Sequence, residues 1–564
     1  MKEQIIKAIQ KATGIKEINL EFPENEGFGD FTTNIALGEE NPRQFAEKLV
    51  KKLQKDKALG KIVEKIEIAG PARLPAGQGF INFWLTKSNL VKELREIVNK
   101  KNKYGSGKFL SGQKLMLEFA HPNTHKLFHI GHLRNIATGE AISRILEASG
   151  VKVVRVNYQG DVGLHIAKCL WGIEKLDFKD PRGIDERVNF LGEGYKEGNR
   201  AYEENKKAKG EIENINGKLY KAEDEKLMEK YRMTRQWSLD YFDKIYHRLD
   251  TKFDRLYFES ETADLGREIA LKALQKKILL KSEGAVIFPG EKFGLHNRVF
   301  INSQGVPTYE AKDLGLAKIQ FGEFRPDKIL HVVAPEQSGY FQVLFRAMKD
   351  ILPEYEGKEI HLVYGWVRLK EGKMSSREGN VVLGEWLLDE AKKEIIKTFK
   401  CQDDIAEKVA VGAVKYSFLK VGMNQDIAFD LRESVSLEGN SGPYLQYTVV
   451  RCQSVLAKAR STKHENTNVS NFDIRISDLN NEELLVLRTL VKFPEMVKMA
   501  AKNYSPNILC NYLFDLAQKY NTFYDRHRIL GSDNLKLRLK LTIATGFILK
   551  NGLKLLGIET PEKM

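Results

Sequence analysis

The stretch HPNTHKLFHIGHLRN, residues 121–135, places four of the chain's 11 histidines within twelve positions, at His121, His125, His129 and His132. Such spacing could line up on one helical face, so a metal site is the first reading to weigh. Pro122 and the Asn123-Thr124 pair break any helix before His129, so the four rings cannot share a face, and no protein-bound metal is expected. Working outward, KLMLEFA (114–120) reads as a short apolar strand. IGHLRNIATGEAISRILEASG (130–150) carries Leu133, Ala137, Ala141, Ile145 and Ala148 near helical spacing, with Gly150 where a C-terminal cap belongs. VKVVRVN (151–157) is a second strand. Strand, loop, helix and strand within about forty residues make a βαβ unit, which predicts an α/β architecture with a parallel sheet.

His129 and His132 then stand where the loop turns into the helix. A helix N-terminus offers free N–H groups and positive potential, which suits phosphate. Two imidazoles one turn apart can donate to phosphate oxygens, and Gly131 between them lets a flat ring approach the backbone. About 240 residues further on, KMSSREGN (373–380) supplies Lys373 and Arg377 on a loop after the later α/β strands, suited to reach a triphosphate from the other side.

At 564 residues the chain exceeds a single core, and its 42% hydrophobic and 29% charged content is that of a soluble globular protein. The net charge of +14 points to a polyanionic partner, nucleic acid first. Cys169, Cys401, Cys452 and Cys510 form no CxxC pair, which argues against a disulfide framework or structural zinc and fits a reducing cytoplasm. The opening MKEQIIKAIQKATG is an amphipathic helix interrupted by Glu3 and Lys7, not a signal peptide, and no run of 18 apolar residues spans a membrane.

Residues 1–100 alternate helical patterns (NPRQFAEKLVKKLQK) with strand-like runs (KIEIAG, QGFINFWL) and end in the Gly- and Ser-punctuated KNKYGSGKFLSG (101–112). Residues 170–255 are helical and charge-mixed and read as a solvated insertion. The α/β pattern returns with DKILHVVA (327–334), a helix in SGYFQVLFRAMKDIL, and EIHLVYGWV (359–367). From about 385 onward, helix follows helix with little else. NLKLRLKL (534–541) alternates like a strand but leads into a long helical run and is read as helix.

Together, HIGH at 129–132 and KMSS at 373–376 resemble the paired signatures of class I aminoacyl-tRNA synthetases. The fuller LEFAHPNTHKLFHIGHLRN resembles the arginyl-tRNA synthetase family, as do VNYQGDVG (156–163), GVPTYEAKD (305–313), PEQSGYF (335–341), SGPYLQYTVVR (441–451) and the terminal GIETPEKM. The resemblance implies a Rossmann-type parallel-sheet catalytic domain at 109–385 with a helical insertion at about 170–255. Before it would lie an N-terminal α+β domain at 1–108 that meets the tRNA elbow. After it would come a helical connector at 386–435 and an all-α anticodon-binding bundle at 436–564. It implies ATP as substrate with Mg2+, L-arginine and tRNA-Arg as partners, a cytoplasmic monomer without membrane attachment, and a requirement for bound tRNA before arginine is activated.

Carried over position by position, the arginine pocket comprises Glu118, Asn123, Tyr309, Asp313 and Gln337. A guanidinium is a planar cation with five donors, so two carboxylates and a tyrosine hydroxyl form a fitting acceptor set. ATP falls to Lys126, His129, Gly131, His132, Lys373, Met374, Ser375, Ser376 and Arg377, with His129, His132, Lys126 and Lys373 catalytic. Tyr444, Gln446, Tyr447 and Arg451 are candidate tRNA contacts, since unstacked bases are read by aromatic faces and polar edges. Three positions depart from the family pattern. Ser376 replaces the second lysine of the KMSKS signature, a loss for which Lys126 is expected to compensate; Leu127 replaces a proline; His165 replaces a glutamine. His125 is expected near the site and His121 to be mainly structural. The rival readings are a class I enzyme for another amino acid, such as cysteine or glutamine, and a non-catalytic tRNA-binding paralogue.

Overall fold

The computed structural model describes residues 1–69, 79–176, 181–370, 382–461 and 479–564. They form two units: Met1–Tyr104 with Arg451–Phe493 and Asp515–Ile548, and Gly105–Val450 with Pro494–Phe514 and Leu549–Met564.

In the first unit, β1 (Phe31–Thr33), β2 (Val63–Ile68) and β3 (Ile81–Leu85) form an antiparallel sheet in the order β1-β3-β2. Alternate residues of the middle strand, Ile81, Phe83 and Leu85, are buried, the period-2 pattern that QGFINFWL predicts. The opening helix runs Lys2–Thr13 and stops on Gly14 at φ 81°, a left-handed cap that glycine adopts without strain. Asp30 accepts the Leu85 N–H at 2.7 Å and pairs with Arg488 at 3.0 Å, tying this sheet to the helix Asn481–Leu490.

The second unit is built on the predicted βαβ. Its strands are β4 (Lys114–Glu118), β5 (Lys152–Gln159), β6 (Arg255–Phe258), β7 (Leu280–Ser282), β8 (Ala285–Phe288), β9 (Arg298–Ile301), β10 (Lys328–Val333), β11 (Glu359–Val363), β12 (Val367–Leu369) and β13 (Ile427–Phe429). Five of them make a parallel sheet in the order β11-β10-β4-β5-β6. From β4 the chain adds strands on one side, then returns to add β10 and β11 on the other. The direction of winding therefore reverses between β4 and β10, and the carboxyl ends of those two strands open a crevice there.

The helix Ile130–Ala148 covers this sheet and is buried on nearly every side, its apolar and small residues interrupted by the buried polar groups of Arg134, Asn135 and Glu140. Gly139 lets it approach closely: a Cβ there would lie 2.3 Å from Phe119 Cγ. The stretch read as a solvated insertion is four helices, Leu164–Lys175, Ile184–Glu204, Lys206–Lys221 and Glu225–Arg248, with a core of their own around Ile166, Leu170, Leu191, Ile212 and Trp237.

Two sets of strands go beyond the sequence reading. β7, β8 and β9 form an antiparallel meander, and β13 pairs with β12 within a region expected to be helical. Residues 535–541 are helical, as expected of NLKLRLKL, and open the helix Leu535–Leu555. The terminal segment is held by buried donors. Lys415 Nζ bonds the Leu249 and Gly557 carbonyls at 2.5 and 2.6 Å, and Gln446 Nε2 bonds those of Lys408 and Glu559 at 3.1 and 2.6 Å.

Candidate active site

His129 is the N-cap of the helix Ile130–Ala148. Its Nδ1 accepts the Gly131 N–H at 3.1 Å, while His132 Nδ1 accepts the His129 N–H at 3.1 Å. Each ring spends Nδ1 as an acceptor, so a neutral ring carries its proton on Nε2 and keeps that donor for a ligand. Burial holds both imidazoles below their usual pKa, His132 well below, with the Lys126 charge acting on both and those of His129 and His121 on His132, so both are neutral at pH 7. Lys126 is half-buried and lies over the Tyr195 ring at 5.3 Å.

The stretch that holds Lys373, Met374, Ser375, Ser376 and Arg377 lies outside the described residues. The chain immediately after it is described and runs beside the histidine motif. Ile130 N–H bonds the Val382 carbonyl at 2.9 Å, Gly384 N–H bonds that of Phe128 at 2.8 Å, and His129 bridges to Leu383.

The approach to this helix is bent by two asparagines that sequence reasoning missed. Ala120 and His121 both have positive φ, 83° and 50°. Asn135 Oδ1 accepts the Ala120 N–H at 2.6 Å, and Asn157 Oδ1 accepts the His121 N–H at 3.0 Å. These bonds stabilise a conformation that L-residues rarely adopt. The bend reverses the expected placing of two histidines. His125 is 1% exposed, with its ring nitrogens bonded to the Thr124 and Thr234 hydroxyls, and is part of the core. His121 instead is a neighbour of Glu118 and His132, with its Nε2 buried and without a hydrogen-bond partner.

Glu118 ends β4 and is 3% exposed. His331 on β10 pairs with it at 2.9 Å, and Gln320 donates to its other oxygen at 2.5 Å. Burial alone would raise the carboxyl's pKa, but the His331 charge and hydrogen bond outweigh burial and hold it well below the usual range. Asp313, on the helix Tyr309–Phe324, accepts the Tyr340 hydroxyl at 2.6 Å. Burial pushes its pKa well up, and the Glu118 charge adds to the rise.

Asn123 stands against Gly160, where a Cβ would meet Asn123 Oδ1 at 2.2 Å and Glu259 Oε1 at 3.1 Å. Tyr309 is 59% exposed, with Lys312 Nζ 5.2 Å from its ring centre. Lys312 pairs with buried Glu259 at 2.6 Å and bonds the Tyr220 hydroxyl at 3.1 Å, so the insertion brings Tyr220 up to this region. Gln337 is exposed on the turn after β10. His165 Nε2 is buried without a partner, and burial lowers that ring's pKa to about 3.

Of the candidate tRNA contacts, Gln446 is corrected: it is fully buried and spends its amide on two backbone carbonyls. Tyr447 is half-buried, and Tyr444 packs edge-on against Phe514 at 5.7 Å. Arg451 donates to Asn521 at 2.8 Å and lies over the Tyr524 ring at 4.8 Å.

Three family models match in chain order. They are the arginyl-tRNA synthetase N-terminal domain over residues 1–85, the class I (R) tRNA synthetase catalytic domain over 93–431, and the DALR anticodon-binding domain over 445–564. An arginine–tRNA ligase of Treponema denticola is 33% identical over 97% of this chain and 95% of its own length. The chain belongs to the arginyl-tRNA synthetase family. It is a class I ligase with the family's three domains. A second relative, the arginine–tRNA ligase of Borrelia hermsii, is 32% identical over 86% of each chain. The arginyl-tRNA synthetase of Thermus thermophilus superposes over the full length of both chains with a TM-score of 0.81 at 26% identity. The family's catalytic domain contains both the histidine-capped helix and the acidic group on β4 and the helix Tyr309–Phe324.

Proposed function

We propose that the chain activates L-arginine with ATP and transfers it to the 3′-terminal adenosine of tRNA-Arg at the crevice between β4 and β10. A carboxylate oxygen of arginine forms a bond to the ATP α-phosphorus, and the bond to the β-phosphate oxygen breaks with its electron pair leaving on pyrophosphate. A hydroxyl of the terminal ribose then attacks the arginyl carbonyl and AMP departs. Little covalent work falls to the protein: positioning and neutralisation of developing charge carry the reaction. Nε2–H of His129 and His132 and the Lys126 ammonium are suited to receive the phosphates, with Lys373 and Arg377 assigned from sequence to the same task.

One observation carries the reading. Glu118 ends β4, and two residues on the Ala120 N–H is bonded to Asn135 Oδ1 of the helix that His129 caps, so the acidic pocket for a guanidinium adjoins the neutral histidines for phosphate. Asn123 and Gln337 are assigned to the α-amino and carboxylate end of arginine, and Tyr309 closes the guanidinium end. Among the described residues no group of three or more His, Cys, Asp or Glu side chains is arranged to hold a metal, so Mg2+ would arrive on ATP, held by phosphate oxygens and water.

Among the described residues no helix is long and apolar enough to cross a membrane. A cytoplasmic monomer that meets tRNA through 1–108 and 436–564 is the arrangement we propose.

The test is the steady-state kinetics of Asp313→Ala. The Michaelis constant for arginine should rise at least about tenfold while that for ATP stays within about twofold. Equal rises in both constants would place the pocket elsewhere.

A further inference from the structure

We infer that His331 is a positioning residue for arginine recognition, holding the Glu118 carboxylate as an ionised, oriented acceptor beside the bound guanidinium. The inference rests on the reading that Glu118 lines the arginine pocket.

The backbone sets the pair. β10 and β4 are parallel neighbours, with His331 directly opposite Glu118 in the register, so both side chains rise on the same face at the carboxyl ends of the strands. His331 Nδ1 lies 2.9 Å from one carboxylate oxygen and Gln320 Nε2 lies 2.5 Å from the other. The side chains of the pair are 7% and 4% exposed. A carboxyl buried this deeply without a cation would take up a proton, and a protonated acid presents a donor where a guanidinium needs acceptors. One donor on each oxygen fixes the plane of the carboxylate, and each oxygen keeps a lone pair for a guanidinium N–H.

The second His331 nitrogen lies 3.7 Å from Glu359 on β11, so one cation stands between two carboxylates. The other titratable neighbours are His361 on β11, His121 on the approach loop, Asp313 on the helix Tyr309–Phe324, Tyr158 on β5 and Tyr257 on β6. Phe341 and Phe345 cover the imidazole, with ring centres 5.2 and 6.2 Å from it, and exclude water from the pair. With His331 protonated, the trio of Glu118, Glu359 and His331 carries one net negative charge beside the guanidinium, to which Asp313 adds when ionised. A neutral residue at 331 would bring the Glu118 titration into the working pH range.

The experiment compares wild type, His331→Gln, Glu118→Gln and the double variant, each as full-length enzyme with tRNA present, from pH 6.5 to 8.5. His331→Gln should raise the arginine KM at pH 7 by about tenfold or more, with kcat and the ATP KM within about twofold. That KM should climb further as pH falls, whereas the wild-type value stays nearly level. The double variant should be no worse than Glu118→Gln alone. Parallel losses in kcat and both Michaelis constants, or a rise in arginine KM that is the same at every pH, would overturn the inference and leave His331 a core residue. An unchanged arginine KM in Glu118→Gln would instead overturn the pocket reading, and the inference with it. Should His331→Gln fail to fold, Gln320→Met carries the test, since it removes only the second donor at similar volume. A selective rise in arginine KM supports the orienting role, and an unchanged value refutes it.

Discussion

The rings of His129 and His132 stack with centroids 3.7 Å apart, and each turns Nδ1 to a backbone N–H of its own helix start. The two histidines therefore cap the helix through Nδ1 and leave Nε2–H of each ring as the donor for a ligand. Structural and chemical roles separate at the level of one ring nitrogen.

His129→Asn separates them experimentally. Asparagine offers an oxygen near the Nδ1 position and keeps the cap, but nothing replaces the Nε2–H. Arginine activation should fall by about 10²–10³ in kcat, with the thermal midpoint nearly unchanged. A stability loss as large as the activity loss would show that the ring serves only the cap.

Acid should destabilise the second unit before its carboxylates titrate. His125 and His165 are held at about 3 by burial, whereas the same rings in the unfolded chain take up protons below about pH 6.5. The unfolded state thus binds more protons across that window, and stability falls by about 1.4 kcal/mol per pH unit for each ring as pH drops. His331 works in the opposite sense: it is raised to about 10, so its contribution is complete below pH 6.5 and is lost as pH rises through 10. Urea unfolding from pH 5 to 10 should show stability declining on both limbs. His331→Gln should flatten the alkaline one, and an unchanged alkaline limb in that variant would contradict the pairing.

Arg134, two residues after the histidine motif, donates to the carbonyls of Gly365, Trp366, Met423 and Gln425 at 2.5–3.2 Å. It fastens the histidine-capped helix to the segments that carry β12 and β13. Arg134→Lys retains the charge but cannot reach four acceptors with one ammonium. A loss of about 3 kcal/mol in unfolding free energy is expected by denaturant titration. A loss below about 0.5 kcal/mol would mean the four bonds are replaceable by water.

Gln446→Ala should behave as a core variant, because it strands the Lys408 and Glu559 carbonyls. Unfolding free energy should drop by about 1–3 kcal/mol while the KM for tRNA stays within about twofold. A selective rise in the tRNA KM would restore Gln446 as a contact.

The architecture was readable where one periodicity persisted long enough. KLMLEFA, the following helix and VKVVRVN gave the parallel core, and from it the crevice. The short strands were not readable. β7 and β13 have three residues each, too few for alternation to declare itself beside helical neighbours. The site divides in the same way. His129 and His132 lie in one local motif, but the partner of Glu118 is 213 residues away, and its only signal was a lone histidine inside the apolar run KILHVV. His121 and His125 were exchanged because the turn at 120–121 depends on asparagines from a helix and from the next strand, which sequence spacing does not reveal.

The most direct measurement is ATP–pyrophosphate exchange by the full-length protein with each of the twenty amino acids, with and without bulk tRNA. Exchange with arginine alone, appearing only when tRNA is present, is the predicted result and fixes both substrate and order of binding. Exchange with a different amino acid would contradict the Glu118–Asp313 pocket. No exchange from protein that still binds tRNA would identify a paralogue that kept the fold without the chemistry.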